Sequence, residues 1–467
     1  MIDRAYRVFS LSLIAIAMLT ATTFARHAEA ATRASEATLP NGMRIVVIPD
    51  HRAPVVTHMV WYRTGAADEP PGVSGIAHFL EHLMFKSTDT IPNGEFSKIV
   101  SRLGGQDNAF TAQDLTAYFQ RVAKDRLPKV MALEADRMVH LRLEEKEVLT
   151  ERNVILEERR TRVENNPAAI LDEQMNAALF MSHPYGIPVI GWEHEIARLS
   201  REDALAFYKT HYAPNNAILV VSGDVTLDEV RKLAEATYGK IPANPAVVPR
   251  ARPQEPPHRA ARRLELKDPR AGKASWHRMY LAPSYKTAAP GEAEALDILM
   301  KVTADGATSR LYKALVVEQR IASSARGYYS GSGRDDGKIS IVVVPADGVP
   351  MAKVEAAVDA VLADVRKNGV TAAEIERAKK SYIAEYVYEA DSQATLARRY
   401  GWALTVGQSV ADIEAWPDRI AKVTPEAVQA AAQKSFDIRR SVTGTLLPEA
   451  PDAPPQSAAN PAKPNRS

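Results

Sequence analysis

The segment Gly75–Phe85, GIAHFLEHLMF, holds the residues best equipped for chemistry: His78, Glu81 and His82. Its apolar content and lack of proline predict a helix. On a helix His78 and His82, four residues apart, project about 40° from one another and can share one ion. Glu81 follows His78 by three residues on the same side, within reach of a water without having to be a ligand. A hydrolytic zinc site needs this division of labour. Two neutral imidazoles hold the ion, and a carboxylate takes the proton of a water whose pKa the metal lowers to ~7. With eleven histidines in 467 residues, an accidental H-x-x-E-H arises in roughly one chain in fifty. Two surface histidines beside a glutamate would satisfy the same spacing. Ile76, Phe79, Leu80 and Leu83 argue against that, because they leave a helix apolar nearly all round, on which unpartnered polar groups are costly.

A catalytic zinc wants a third protein ligand and one open position. The stretch Glu145–Val163 predicts a second helix, rich in carboxylates. Glu151 and Glu158 lie two turns apart and share a face, with Glu157 about 100° away. Glu158 as ligand, with Glu151 orienting an imidazole N–H, is a coherent pair. Spacing alone does not choose Glu158 over Glu157, and most other charges here read as a solvated face. The chain has no cysteine, which excludes disulfides, a thiolate nucleophile and a cysteine-based structural zinc site.

The elements that must hold these residues form more than one domain, since single cores stop growing near ~250–300 residues. Composition is that of a globular protein, 46% hydrophobic and 25% charged, and the net charge of +2 gives no footprint for nucleic acid. Residues 1–30 read as an export signal: Arg4 and Arg7, an apolar run from Phe9 to Leu19, and Ala28-Glu29-Ala30 as cleavage site. The run is too short to span ~30 Å of hydrocarbon. The expectation is a periplasmic protein with no integral span after signal cleavage. Residues 448–467 read as a disordered tail. A Pro-rich linker, 246–262, separates an N-terminal unit, 31–245, from a C-terminal unit, 263–447. Each unit opens on a strand-like run, Arg44–Ile48 or Arg263–Leu266, followed by an amphipathic helix and later by an all-apolar strand, Ala217–Val221 against Ile339–Val344. The pattern predicts an α+β fold: two homologous domains, each a mainly antiparallel sheet with helices packed on one face.

At these residues the chain resembles the pitrilysin/insulinase family of zinc peptidases, the inverzincins with H-x-x-E-H, in its short bacterial and mitochondrial-processing type. Glu151-Arg-Asn-Val-Ile-Leu-Glu-Glu158 fits the family's E-x-x-x-x-x-x-E motif, and Glu158 falls 76 residues after His82. The resemblance implies His78, His82 and Glu158 as ligands of one Zn²⁺ per chain, Glu81 as catalytic base and Glu151 behind the ligands. Gly104–Thr111 resembles the family's substrate-binding edge strand, so Asn108, Ala109 and Phe110 are expected to pair with peptide backbone by β-augmentation. His183-Pro-Tyr-Gly186 and Tyr212-Ala-Pro-Asn-Asn216 are further family-like stretches. The implied shape is half of a clamshell that two chains close around unfolded peptides.

The second half departs from the family pattern. Active relatives carry an Arg and, seven residues later, a Tyr that stabilise the developing oxyanion. The matching stretch here, Leu315–Ser323, places Val316 and Ser323 at those positions, while Arg310, Arg320, Tyr328 and Tyr329 have the wrong spacing. The sequence therefore leads to a zinc endopeptidase subunit completed by a homologous partner that supplies the Arg/Tyr pair. The alternatives are an active homodimer and a non-catalytic peptide-binding or assembly subunit.

Overall fold

The protein is described here by a computed structural model covering residues 34–449. The expected signal, residues 1–30, and all but two residues of the expected tail lie outside the described residues. Six strands form the first sheet: β1 (Ser35–Thr38), β2 (Arg44–Pro49), β3 (Val55–Tyr62), β4 (Gln106–Thr111), β5 (Thr116–Ala123) and β6 (Ala217–Gly223), ordered β1-β2-β6-β3-β5-β4. Only β2 and β6 run parallel. Five strands form the second: β7 (Arg262–Asp268), β8 (Ser275–Ala282), β9 (Ala322–Ser330), β10 (Gly337–Pro345) and β11 (Ser441–Pro448), ordered β7-β11-β8-β10-β9. Only β7 and β11 run parallel.

The order β2-β6-β3-β5-β4 is thus repeated as β7-β11-β8-β10-β9, with the parallel pair in the same place. This topology corrects one detail of the sequence comparison. The apolar strand at 217–221, in β6, has its counterpart in β11, whereas the strand at 339–344, in β10, corresponds to β5. Both β6 and β10 are interior strands, so both read as continuous apolar runs, and only pairing order tells them apart. Arg262, the last residue of the expected linker, pairs with Val442, and Pro448, the first of the expected tail, pairs with Asp268.

Six helices matter for the site: α1 (Ile76–Leu83), α2 (Glu145–Arg159), α3 (Pro167–Leu179), α4 (Glu292–Thr303), α5 (Ala372–Glu389) and α6 (Gln393–Thr405). In each half helices pack on one sheet face, with α1 in the first core and α4 in the second. The opposite faces are covered by an exchange between halves. Leu396, Ala397, Tyr400 and Leu404 of α6 cover Val46, Met59, Trp61 and Val220 of the first sheet. Leu171, Met175 and Leu179 of α3 cover Met279, Leu281 and Val442 of the second. Each fully buried aliphatic side chain in such a contact stabilises by about 1.5–3 kcal/mol. Gly401 makes the first contact possible, since a Cβ there would lie 2.0 Å from the Trp61 ring.

The linker joins this arrangement rather than floating beside it. Residues 243–261 form no helix or strand, yet Arg252 pairs with Asp68 at 2.8 Å, Asp114 at 2.5 Å and Asp335 at 3.0 Å. Asp68 and Asp114 belong to the first half and Asp335 to the second. Arg250 donates to the carbonyls of Asp114 (2.7 Å) and Thr405 (3.0 Å). No helix among the described residues is long and apolar enough to cross a membrane.

Candidate metal centre

Helix α1 is short and almost wholly buried: Ile76, Ala77, His78, Phe79, Leu80, Glu81 and Leu83 are all covered. Its start is fixed from two sides. The Glu69 carboxylate accepts from the N–H groups of Gly75 and Ala77, each at 2.9 Å, satisfying helix-terminal donors. Gly75 has φ 88° and packs on the Ile190–Gly191 turn, where a Cβ would lie 2.5 Å from the Ile190 carbonyl oxygen. Helix α2 opens with a capping box between Glu144 and Glu147, then widens into a π-helical turn at Arg160–Glu164.

These helices bring His78, His82 and Glu158 together, with one potential ligand atom from each lying within 4.8 Å of the others. His78 Nε2 is 3.7 Å from Glu158 Oε1, and His82 Nε2 is 3.5 Å from Glu158 Oε2. Tetrahedral coordination with bonds near ~2.0–2.2 Å sets neighbouring donors about 3.3–3.6 Å apart. The donor set and its spacing therefore fit zinc. His82 Nδ1 donates to Glu151 Oε1 at 2.8 Å, which leaves the Nε2 lone pair facing Glu158. Glu157, the alternative left open by spacing, is turned away and paired with Arg160 at 2.5 Å. Among the described residues no other cluster of His and carboxylates has metal-binding geometry.

Electrostatics bear on His78 and on the two carboxylates beside the donors. Burial, with His82 and Arg162 nearby, pushes His78 down to about 3, so its imidazole is neutral. Hydrogen bonding to His82 outweighs burial at Glu151 and, with help from Lys86, holds its carboxyl at about 2. Burial raises the Glu81 carboxyl, against the hydrogen bond from Thr111.

Three residues of the site were not singled out from the sequence. Lys86 lies 2.6 Å from the second Glu151 oxygen, and Arg162 lies 2.6 Å from Glu158 Oε1. Arg162 is four residues beyond Glu158 on its own helical path, so the i,i+4 rule could have found it, whereas Lys86 lies past the end of α1 and meets Glu151 across the two helices. Thr111 donates its hydroxyl to Glu81 Oε2 at 2.5 Å; it comes from a strand, and no local spacing points to it.

Thr111 ends β4, which carries Asn108, Ala109 and Phe110 and pairs only with β5, leaving its other side as a sheet edge. Asn108 Oδ1 accepts from the Ala109 N–H at 2.8 Å. The Phe110 ring is taken up by the second half: it stacks on Trp402 at 6.3 Å and 10°, with the Arg398 guanidinium 4.7 Å from its centroid. In that half Val316 is partly buried in a π-helical turn, and Ser323 is exposed at the start of β9. Arg310 is held by Glu374 at 2.9 and 2.8 Å, and the Tyr329 hydroxyl donates to the Pro283 carbonyl at 2.5 Å. Arg320 and Tyr328 are exposed.

Comparison with known proteins adds to this geometry. Residues 44–192 match the family model described as Insulinase (Peptidase family M16), and residues 198–382 match that described as Peptidase M16 inactive domain. The chain is 34% identical over 367 residues to the zinc protease PqqE of Helicobacter pylori, covering 77% of this chain and 81% of that protein. It is 30% identical over 411 residues to the uncharacterized zinc protease ML0855 of Mycobacterium leprae, covering 86% and 89%. Among solved structures, a protease from Helicobacter pylori superimposes with a TM-score of 0.83 at 29% identity, covering 89% of this chain and all of that one.

Proposed function

Because the chain belongs to the insulinase family, peptidase family M16, we propose that it is a zinc-dependent endopeptidase acting on unfolded peptides, with His78, His82 and Glu158 as the metal ligands and Glu81 as the catalytic base. The observation that carries this reading is the convergence of the three donors beside a buried carboxylate that is itself tied to an edge strand through Thr111.

Zinc bound by this set supplies a Lewis acid that acidifies water and polarises a carbonyl. The chain's own residues do the rest. A peptide adds to the free edge of β4 as a further strand, held mainly by backbone hydrogen bonds along Asn108, Ala109 and Phe110, which explains tolerance of sequence. The scissile bond is thereby laid beside Glu81. Glu81 accepts the proton of the attacking water and returns it to the leaving amine. Its burial suits that task, because a carboxyl raised from its ordinary value is a better proton acceptor. Glu151 holds the His82 tautomer, and His82 together with Lys86 keeps Glu151 ionised.

The chain works, in this reading, with a homologous partner that supplies the Arg/Tyr pair. Val316 has no side-chain donor, the Ser323 hydroxyl donates to the Val344 carbonyl at 3.3 Å, and Arg310 is already committed to Glu374. Assaying the zinc-loaded chain alone and mixed with a homologue that carries the pair tests this. Activity only in the mixture supports completion in trans; full activity from the chain alone overturns it and favours a homodimer.

A further inference from the structure

The second half contains a cavity in the place that the metal cleft occupies in the first. Helix α4 starts, like α1, after a glycine in the left-handed region, Gly291 at φ 81°. Asp297 follows Gly291 by six residues, as Glu81 follows Gly75. Glu385 follows the α5 cap Thr371 by fourteen, as Glu158 follows the α2 cap Glu144. No imidazole stands on this α4 face. Asp297 and Glu385 instead line a cavity of about 570 Å³ walled by Tyr285, Tyr329, Trp402 and Trp416.

The acidic groups around this cavity are paired with cations, with one exception. Glu385 pairs with Lys301 at 2.8 Å, Glu389 pairs with Arg399, and Glu294 pairs with Arg419 at 2.5 Å. Arg398 at the rim is turned over the Phe110 ring. Asp297 receives the Tyr285 hydroxyl, itself bonded by Trp416 Nε1 at 2.7 Å, and has no cationic partner among the described residues. Burial, with Glu294 nearby, pushes its carboxyl up to about 7 despite the Tyr285 bond. An unmatched carboxyl lining an aromatic-walled cavity is an arrangement that recognises an organic cation, by charge and by cation–π attraction. Two rings already carry the chain's own cations, Arg399 at 3.9 Å from Tyr386 and Lys301 at 5.0 Å from Tyr382. The walls formed by Trp402, Trp416, Tyr285 and Tyr329 carry none.

We propose that this cavity is a cation subsite for a bound peptide, taking the ammonium or guanidinium head of a lysine or arginine side chain. It rests on the reading of β4 as the peptide-binding edge, and Trp402 joins the two places: it walls the cavity and stacks on Phe110 of β4. A second cavity, about 760 Å³, runs from Thr111, beside Glu81, to the same Trp402. A peptide lying along β4 therefore passes from the metal centre to the mouth of the cation site.

The test measures binding of amino-acetylated peptides to the full chain carrying Glu81→Gln, comparing one lysine with norleucine at the same position. Lysine peptides are expected to bind about ten-fold more tightly, and Asp297→Asn, which keeps the Tyr285 hydrogen bond, removes the advantage. Equal binding of the lysine and norleucine peptides overturns the subsite while leaving the peptide-binding edge intact. If neither peptide binds, the reading of β4 fails, and quenching of tryptophan fluorescence by n-butylguanidinium decides the cavity alone. Quenching that is lost in Asp297→Asn supports the site, and quenching no stronger than with n-pentanol overturns it.

Discussion

His82 Nδ1 and Glu151 Oε1 lie 2.8 Å apart, and that hydrogen bond decides which nitrogen of His82 faces Glu158. Removing the acceptor frees the ring to change tautomer and orientation. Glu151→Ala is expected to weaken zinc affinity about 10–100-fold, while Glu157→Ala leaves it unchanged. Competition with a chromogenic chelator checks both. Equal affinity for the Glu151→Ala and parent chains would remove Glu151 from the site.

Arg252 is the linker's main fastening. Its side chain is 4% exposed and faces three carboxylates. Breaking a buried ion pair by deleting one partner costs about 3–5 kcal/mol, because uncompensated charge remains. Arg252→Leu should destabilise the chain by that order in denaturant unfolding. The exposed Arg259 serves as control, its replacement costing little.

Asp335 gives this fastening a pH dependence. Burial alone would raise its carboxyl, but His183 and Arg252 draw it from an ordinary 3.8 down to about 2. A depressed folded-state pKa stabilises above the unfolded value, and the contribution is lost as pH falls from about 4 to about 2. The stability difference between the parent chain and Asp335→Asn is therefore expected to be about 2 kcal/mol near neutrality and to shrink across that acid window. A difference independent of pH would contradict this.

Phe110 and Trp402 stack across the two halves, so α6 of the second half steadies the edge strand of the first. Trp402→Ala is expected to raise KM for peptides several-fold with a smaller effect on kcat, and Trp402→Phe to restore most of the loss by keeping an aromatic ring. A change in kcat alone would mean that the ring acts on the chemistry rather than on the strand.

Each helix's share of the metal cluster was legible because helical spacing is local information, but the choice of Glu158 over Glu157 came from the family resemblance. His78, Glu81 and His82 lie on one helix, Glu151 and Glu158 on another, and periods of four and seven place them before any tertiary contact is known. The α+β duplication was legible from the repeated opening strand and amphipathic helix, although the apolar strand at 339–344 was matched to the wrong counterpart. Other features depend on tertiary structure. That α3 and α6 each cover the other half's sheet is a tertiary fact that no local spacing gives. Thr111 meets Glu81 through the placement of β4 against α1. The linker's prolines suggest extended chain, and nothing in them announces that Arg252 is enclosed by carboxylates from both halves.

The most direct test of the central claim is cleavage of an unfolded peptide by the zinc-loaded chain, with its homologous partner present, compared with the chelated chain and with Glu81→Gln. Cleavage by the loaded chain is expected, with loss on chelation, recovery on adding zinc, and a Glu81→Gln chain that retains its zinc but has lost turnover by orders of magnitude. Cleavage that survives chelation, or a Glu81→Gln chain working at the parent rate, would contradict it.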